Sequence, residues 1–356
     1  MNKYISISEN AVKENIKNIM KNVRSEIIAV VKCNGYGLGI NKAIDLWYEN
    51  DVRFFAVSLP QEAIRIRELG YEDVDILLLT PTYDEKIIKK LYDLNVIMTV
   101  SSPECAAKIA SVCPAEVHVK LDVGMGRFGV KTRDFNRIMD IYKTEGLKFT
   151  GIFAHFPVAF GDETITAKQL LDFTGIVKKL EEQGIDVGLR HIANSAAALR
   201  FPETNLDAVR VGSALVGRMV CKTNCKLNKI GVLKAQVAEV SQLDPGDTTG
   251  YSMVYKAKNK VNTAVVSAGY TDGWEMERFV PAMNFTDILR NMYHTMKKCR
   301  LPRFVKFKDK RLPILGRVGT QYTVVDRGSS DIKPGDWVDI DVNIMLVDSG
   351  VERRFE

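Results

Sequence analysis

The sequence predicts an α/β protein: an N-terminal (β/α)8 TIM barrel over residues 1–222, then a mainly β C-terminal domain over 223–356. Three observations predict it. Short β-branched runs alternate with amphipathic helical stretches eight times in the first two-thirds of the chain, and that many βα repeats imply a parallel barrel. From about Cys221 helical periodicity fades, and β-rich runs separated by turn residues take over. Finally, 356 residues with 46% hydrophobic and 26% charged side chains suit two folded domains or one large domain with an appendage. A doubly wound open sheet gives a similar alternation and stays open on periodicity alone.

Taken in order, the barrel runs are 27–32, 53–58, 75–80, 96–101, 116–122, 149–155, 188–194 and 207–212. Amphipathic stretches such as 61–69, 84–91, 134–142 and 168–183 lie between them, and the short last gap holds one small helix at 195–201. The later β runs are 232–240, 260–268, 312–318, 322–326 and 337–342. Asp244-Pro245-Gly246-Asp247 and Lys333-Pro334-Gly335-Asp336 mark turns between them. Residues 275–310, helical and then basic, read as an insertion.

Several function classes are set aside at once. No apolar run approaches the roughly 18 residues of a membrane span, and the polar opening is not that of a signal peptide. Six scattered cysteines form no disulfide framework. The expectation is a cytoplasmic protein without membrane or nucleic-acid partners, since the net charge of +6 is spread out and the basic tract 297–310 is short. Metal-site and serine-hydrolase motifs are missing from the sequence, so no metal is expected.

In a barrel the chemistry gathers where strands end at the C-terminal face. The first run ends in Lys32 and a glycine-rich stretch, the fifth carries Lys120 and Asp122 before Arg127, and the sixth ends at His155. The seventh holds His191, Asn194 and Ser195, and the eighth Arg210, Gly212 and Ser213. Capping and turn roles explain any one of these well, and all of them together poorly. Lys32 is a snorkelling cap on the bland reading, whereas a desolvated lysine amine can form a Schiff base. Along 116–122, His118, Lys120 and Asp122 alternate with Val117, Val119 and Leu121, so a polar face looks into the barrel and its cations require an anion. Gly124–Gly129 spell G-x-G-x-x-G, a weak dinucleotide fingerprint here because it follows the fifth strand. Arg127 reads better as a carboxylate ligand. Ser195 is either an N-cap or part of a phosphate site, and the two roles are compatible.

These residues resemble the alanine racemase family. The likeness runs through Val31-Lys32-Cys33-Asn34-Gly35-Tyr36-Gly37, Lys120-Leu121-Asp122-Val123-Gly124-Met125-Gly126-Arg127, His191-Ile192-Ala193-Asn194-Ser195, Val209-Arg210-Val211-Gly212 and Gly269-Tyr270-Thr271-Asp272-Gly273, in family order. The resemblance implies a pyridoxal 5'-phosphate-dependent amino-acid racemase acting on a small amino acid, as a homodimer with the active site shared across subunits. It implies that Lys32 holds the cofactor and serves as one base, with Tyr251 of the other subunit as the second. It places Tyr36, Asn194, Ser195, Gly212 and Ser213 at the phosphate, Arg210 at the pyridine nitrogen, and His155 and His191 in the supporting shell. Arg127 would meet the substrate carboxylate, and Lys120 matches a position often carbamylated.

Two departures lie on the substrate side. The family's usual Met-Asp pair is replaced by Thr320 and Gln321, and Ser252 stands for a usual glycine after Tyr251. No match to the family's late phosphate-binding tyrosine is found. Beside an L- and D-alanine racemase supplying cell-wall synthesis, two alternatives therefore stand: a same-fold racemase for serine or a basic amino acid, and a non-catalytic cofactor carrier.

Overall fold

The structure is a computed structural model that describes residues 2–219, 221–276, 284–299 and 303–356. It divides into two compact units, one of residues 9–230 and one joining residues 2–8 to 231–356.

The first unit is the barrel. Its eight strands are Glu26–Val30, Phe54–Val57, Asp75–Leu78, Met98–Val100, Glu116–Asp122, Lys148–Phe153, Leu189–Asn194 and Ala208–Val211, all parallel to their neighbours. The first pairs with both the second and the eighth. The seam between third and fourth is closed by a parallel bridge from Leu77 to Ile97. Strands this short are held by apolar burial on both faces. All four residues of Phe54–Val57 are buried, and Ile28, Val30, Phe54, Ala56, Leu77, Ile97 and Ala208 form one cluster across neighbouring strands. Outer helices start where the sequence offers caps. Asp84, Ser102 and Asp162 each accept an N–H from the residue three positions on. The expected runs overshoot the strands by up to two residues, because the chain turns at the rim once the ladder ends.

The second unit is built on Gly231–Leu243, which pairs antiparallel with Val261–Val266 and with Trp337–Ile340. Its other neighbour is Lys3–Ile7, registered Lys3 to Ala235 and Ile7 to Gly231, and Arg353–Phe355 adds to Lys3–Ile7 in parallel. A barrel starting at residue 1 is therefore corrected: the first strand belongs to the β unit. Ile5 and Ile7 are fully buried there, and five residues of alternating pattern carry no signal of which distant sheet they will join. The expected insertion is also corrected in part. Phe285–Cys299 is helical, but Phe304–Phe307 and Lys310–Pro313 form an antiparallel hairpin whose Lys306 pairs with Asp339 of the sheet. Residues 277–283 and 300–302 of that stretch lie outside the described residues.

Ile5→Ala should destabilise the β unit by about 2–5 kcal/mol, as for other buried aliphatic truncations. Hydrogen exchange read by mass spectrometry is expected to lose protection along Gly231–Leu243 while the barrel strands keep theirs. Equal loss in the barrel would contradict the assignment of the first strand to the β unit.

Candidate active site

The fifth barrel strand, Glu116–Asp122, buries every residue after the first. His118 faces Gly151 of the sixth strand in register, and Phe153 of the sixth faces His191 of the seventh. His118 Nδ1 lies 2.9 Å from His191 Nε2, whose other nitrogen, Nδ1, lies 2.6 Å from Arg210 Nη1 on the eighth strand. Arg210 is 4% exposed. Its Nη1 also donates to the His191 carbonyl, and Nη2 donates to the carbonyls of Ala154 and Ile192 and to His155 Nδ1 at 3.5 Å. The hydrogens of both terminal nitrogens are thus taken up by the chain's own acceptors. Phe153 lies beneath this group, stacked on His191 at 4.9 Å, with Arg210 and Lys120 over its ring at 5.2 and 5.0 Å.

Burial sets the charges. Loss of water, then the Arg210 charge, pushes His118 down to about 3. His155 falls to about 3 by the same two causes, with Lys120, Lys32 and Arg127 adding to them, and His191 is pushed well below its ordinary value. Arg210 itself is lowered by burial to about 9 and stays charged at neutral pH. Lys120 drops to about 7, first by burial, then by Arg210 and Arg127, with Asp122 opposing and Lys32 adding a little. A substantial share of its amine is neutral near pH 7.

Lys32 follows the first strand and opens a left-handed turn. Cys33, Asn34 and Tyr36 hold φ values of 55°, 53° and 55°. Each costs a non-glycine residue on the order of 1–2 kcal/mol, strain of the kind that collects at functional loops. Asn34 Oδ1 ties the turn down by accepting the Ile40 N–H at 2.8 Å. The turn delivers the Tyr36 phenol against Gly212, where any Cβ would overlap it. Burial, with Cys33 and Glu62 nearby, raises Tyr36 far above its usual range, so it remains a protonated donor. Ser195 Oγ accepts the N–H groups of Gly212 at 3.1 Å and Ala214 at 3.5 Å, which leaves its own hydrogen to donate outward. Of the two roles open to Ser195 in the sequence, the helix cap goes to its neighbour. Asn194 is the cap, accepting from Ala196 and Ala197 at 3.1 Å and donating to Phe156. Ser213 lies half-buried beside this group.

The loop after the fifth strand is held by Asp122, whose carboxylate accepts the N–H groups of Gly124, Met125 and Gly126 at 2.8–3.1 Å. Those donors are what a dinucleotide phosphate would need, and a two-residue strand, Val130–Lys131, follows rather than a helix. The dinucleotide fingerprint fails on both counts. Arg127 stands exposed on this loop.

The remaining expected residues lie in the β unit. Tyr251 is 75% exposed in the turn Tyr251–Met253, where Ser252 sits at φ 62°. Gln321 is exposed and Thr320 half-buried. Thr320 is fixed by the Tyr270–Asp272 turn: its carbonyl accepts from Thr271, and its hydroxyl donates to Tyr270 Oη at 3.2 Å. Asp272, buried, accepts the Gly269 N–H and pairs with Lys3 at 2.7 Å. Sequence reasoning missed His118 as part of the rim group, although its position two residues before Lys120 on the polar face was the available signal. Tyr270 and Asp272 lie in the motif Gly269–Gly273 but were given no role, and the pairing of Asp272 with Lys3 left no local trace.

Residues 7–220 match the family described as alanine racemase, N-terminal domain, and 230–344 match alanine racemase, C-terminal domain. An alanine racemase of Clostridium tetani is 32% identical over 338 residues, covering 91% of this chain and 81% of the relative. One of Methanococcus maripaludis is 30% identical over 352 residues, covering 95% and 88%. The alanine racemase structure of Clostridium difficile superposes with a TM-score of 0.86 at 25% identity, over 100% of this chain and 96% of that one. The Bartonella henselae enzyme, solved with covalently bound pyridoxal phosphate, shares the fold at 0.83, 22% identity and 100% of both chains.

The neutral state of the three barrel histidines is directly testable. Their imidazole C2–H resonances should hold still between pH 5 and 8, and a midpoint near the ordinary value of about 6.5 for any of them would refute it. Unfolded, these groups bind protons below about pH 6.5 while the folded rings resist to about 3 for His118 and His155. Their contribution to stability is therefore whole above 6.5 and falls as pH drops toward 3.

Proposed function

The chain belongs to the alanine racemase family, and on that premise we infer that it is a pyridoxal 5'-phosphate-dependent isomerase interconverting L- and D-alanine, with its reaction centre at the barrel rim. The observation that carries the placement is the convergence on one rim of a lysine in a strained turn, two hydroxyl donors and a buried guanidinium. Relatives across the chain favour this reading over a larger-substrate racemase or a non-catalytic carrier.

The residues fit the cofactor. Tyr36 and Ser195 offer hydroxyl hydrogens to a phosphate, with the backbone of Gly212 and Ser213 beside them, and Gly212 leaves the space clear because no side chain stands there. Asn194 holds the Ser195 helix in place. Lys32 supplies the amine that retains an aldehyde cofactor. Arg210, its terminal hydrogens committed, offers Nε–H to a ring nitrogen and keeps its own proton, which limits the charge drawn into the ring and suits racemisation over transamination. His191 and His155 accept from Arg210 and hold it in that direction.

Bound pyridoxal phosphate would supply the electron sink that makes the Cα–H of an amino acid acidic. Racemisation then requires one base on each face of Cα, one removing a proton while the other returns one. Lys32 serves one face and the partner subunit's Tyr251 the other, in a head-to-tail homodimer. The high exposure of Tyr251 on its own subunit supports this role. Arg127 binds the substrate carboxylate, with Thr320 and Gln321 on the substrate side. The neutral fraction of Lys120 takes up CO2, forming an N–C bond and releasing a proton, and the resulting carbamate answers the surrounding cations. The product suits a cytoplasmic supply of D-alanine to cell-wall synthesis. Among the described residues no helix is long and apolar enough to cross a membrane.

Incubation with cofactor and L-alanine in heavy water should wash out the Cα–H signal and yield D-alanine on a chiral column. Tyr251→Phe is expected to lower D-alanine formation by roughly 10²–10⁴-fold, and unchanged turnover would refute the two-base assignment. For Lys120, protein equilibrated with ¹³C-bicarbonate should show a carbamate resonance that Lys120→Ala lacks. An identical spectrum from the variant would remove the carbamate.

A further inference from the structure

We propose that His118 is a positioning residue for the racemase reaction: it ends a one-way chain of hydrogen bonds, Arg210 to His191 to His118, that fixes the proton and ring plane of His191 and so the direction of Arg210. The proposal rests on the reading of Arg210 as the partner of the cofactor's ring nitrogen.

The direction of the chain follows from donor chemistry. A guanidinium has five donors and no acceptor. Arg210 Nη1, 2.6 Å from His191 Nδ1, must therefore donate, and Nδ1 carries no hydrogen. The ring's single proton then lies on Nε2, which donates across 2.9 Å to His118 Nδ1. His118 in turn carries its proton on its own Nε2. No other arrangement of two neutral imidazoles satisfies both contacts, because a reversed His191 would set N–H against N–H at Arg210. Both rings are buried, His191 at 0% and His118 at 1% exposure.

The surroundings are built to hold this arrangement. Gly151, the registered neighbour of His118, makes its seat: a methyl there would stand 2.6 Å from His118 Cε1 and Nε2. Phe54 meets the His118 ring edge-on at 6.2 Å, and Phe153 stacks on His191 with 7° between planes. A residue chosen only to fill volume would not need an acceptor at Nδ1. An apolar side chain of similar size would leave His191 Nε2–H buried without a partner, an arrangement proteins avoid. His191 would then be free to turn or to admit water, and the 2.6 Å contact between Arg210 and His191 Nδ1 would loosen. Groups that orient metal-bound histidines from behind affect affinity or activity by roughly 10–100-fold, and the same scale is expected for a histidine that orients Arg210.

The test compares His118→Asn, whose Oδ1 can accept at the Nδ1 position, with His118→Phe, which cannot, and with Gly151→Ala, which disturbs the seat from another strand. In cofactor-free wild type, ¹⁵N-edited NMR should find His191 protonated on Nε2 alone, and a proton on Nδ1 overturns the proposal whatever the variants do. The Asn variant should keep that tautomer, and the Phe and Ala variants should show a shifted or broadened His191 signal. With cofactor and alanine, pyruvate released per D-alanine formed should rise by roughly tenfold in the Phe and Ala variants and return toward wild type in Asn. Equal ratios in Phe and wild type, or failure of Asn to recover, would overturn it. If wild type forms no D-alanine, the functional reading fails, while the apo spectrum still decides the hydrogen-bond chain.

Discussion

A buried guanidinium needs acceptors for every hydrogen it loses to desolvation, and the barrel rim is organised around meeting that need for Arg210. Its terminal nitrogens bond to three carbonyls and two imidazoles, none of them charged. Burial, reinforced by that uncompensated charge, keeps the neighbouring histidines neutral and shifts Lys120 toward neutrality. Asp122, the carboxylate at the rim end of the Lys120 strand, is occupied with backbone N–H groups. The result is a buried cluster of fixed positive charge at the barrel rim. Electrostatic preorganisation of this kind requires little rearrangement when the reaction begins.

Lys120, His191 and Arg210 stand within barrel strands, whereas Lys32, Tyr36, Arg127, Ser195 and Gly212 stand just past strand ends, where the ladder no longer fixes the backbone. Side chains take over that task. Asp122 gathers three N–H groups of its loop, Asn194 caps the following helix, Ser195 ties two residues after the eighth strand, and Asn34 closes the strained turn behind Lys32. In the β unit, Asp272 anchors the turn that holds Thr320 and is itself paired with Lys3. These contacts place reactive groups on loops without leaving the loops loose, and small errors of placement are costly in catalysis.

How much of this was legible depended on whether the signal was local. The eight barrel runs were readable because each is a short apolar segment bounded by turn residues and separated by helical periodicity. The polar face of His118, Lys120 and Asp122 was readable because alternation puts its members on one side of a strand. The strand Lys3–Ile7 was not, since its partner begins more than two hundred residues later. The hairpin Phe304–Pro313 was hidden by lysines and arginines, which are ordinary on the solvent face of an edge hairpin and carry no helical or strand period of their own. Ser195 was read as an N-cap or a phosphate-site residue, and only the fold gave the cap to Asn194 while Ser195 Oγ accepts from Gly212.

By itself the sequence determined the order and type of the barrel elements, the clustering of chemistry-bearing residues at strand ends, and the motifs that mark the family. Those properties are encoded in spacing along the chain, through the periods of strand and helix and the few residues that turns accept. The tertiary structure alone decided which sheet claims the first strand, which nitrogen of His191 carries the proton, and that His118, 73 residues earlier, receives it. Such outcomes depend on which distant groups are brought within 3 Å of one another and on how much water is excluded around them, and neither quantity is written in local sequence.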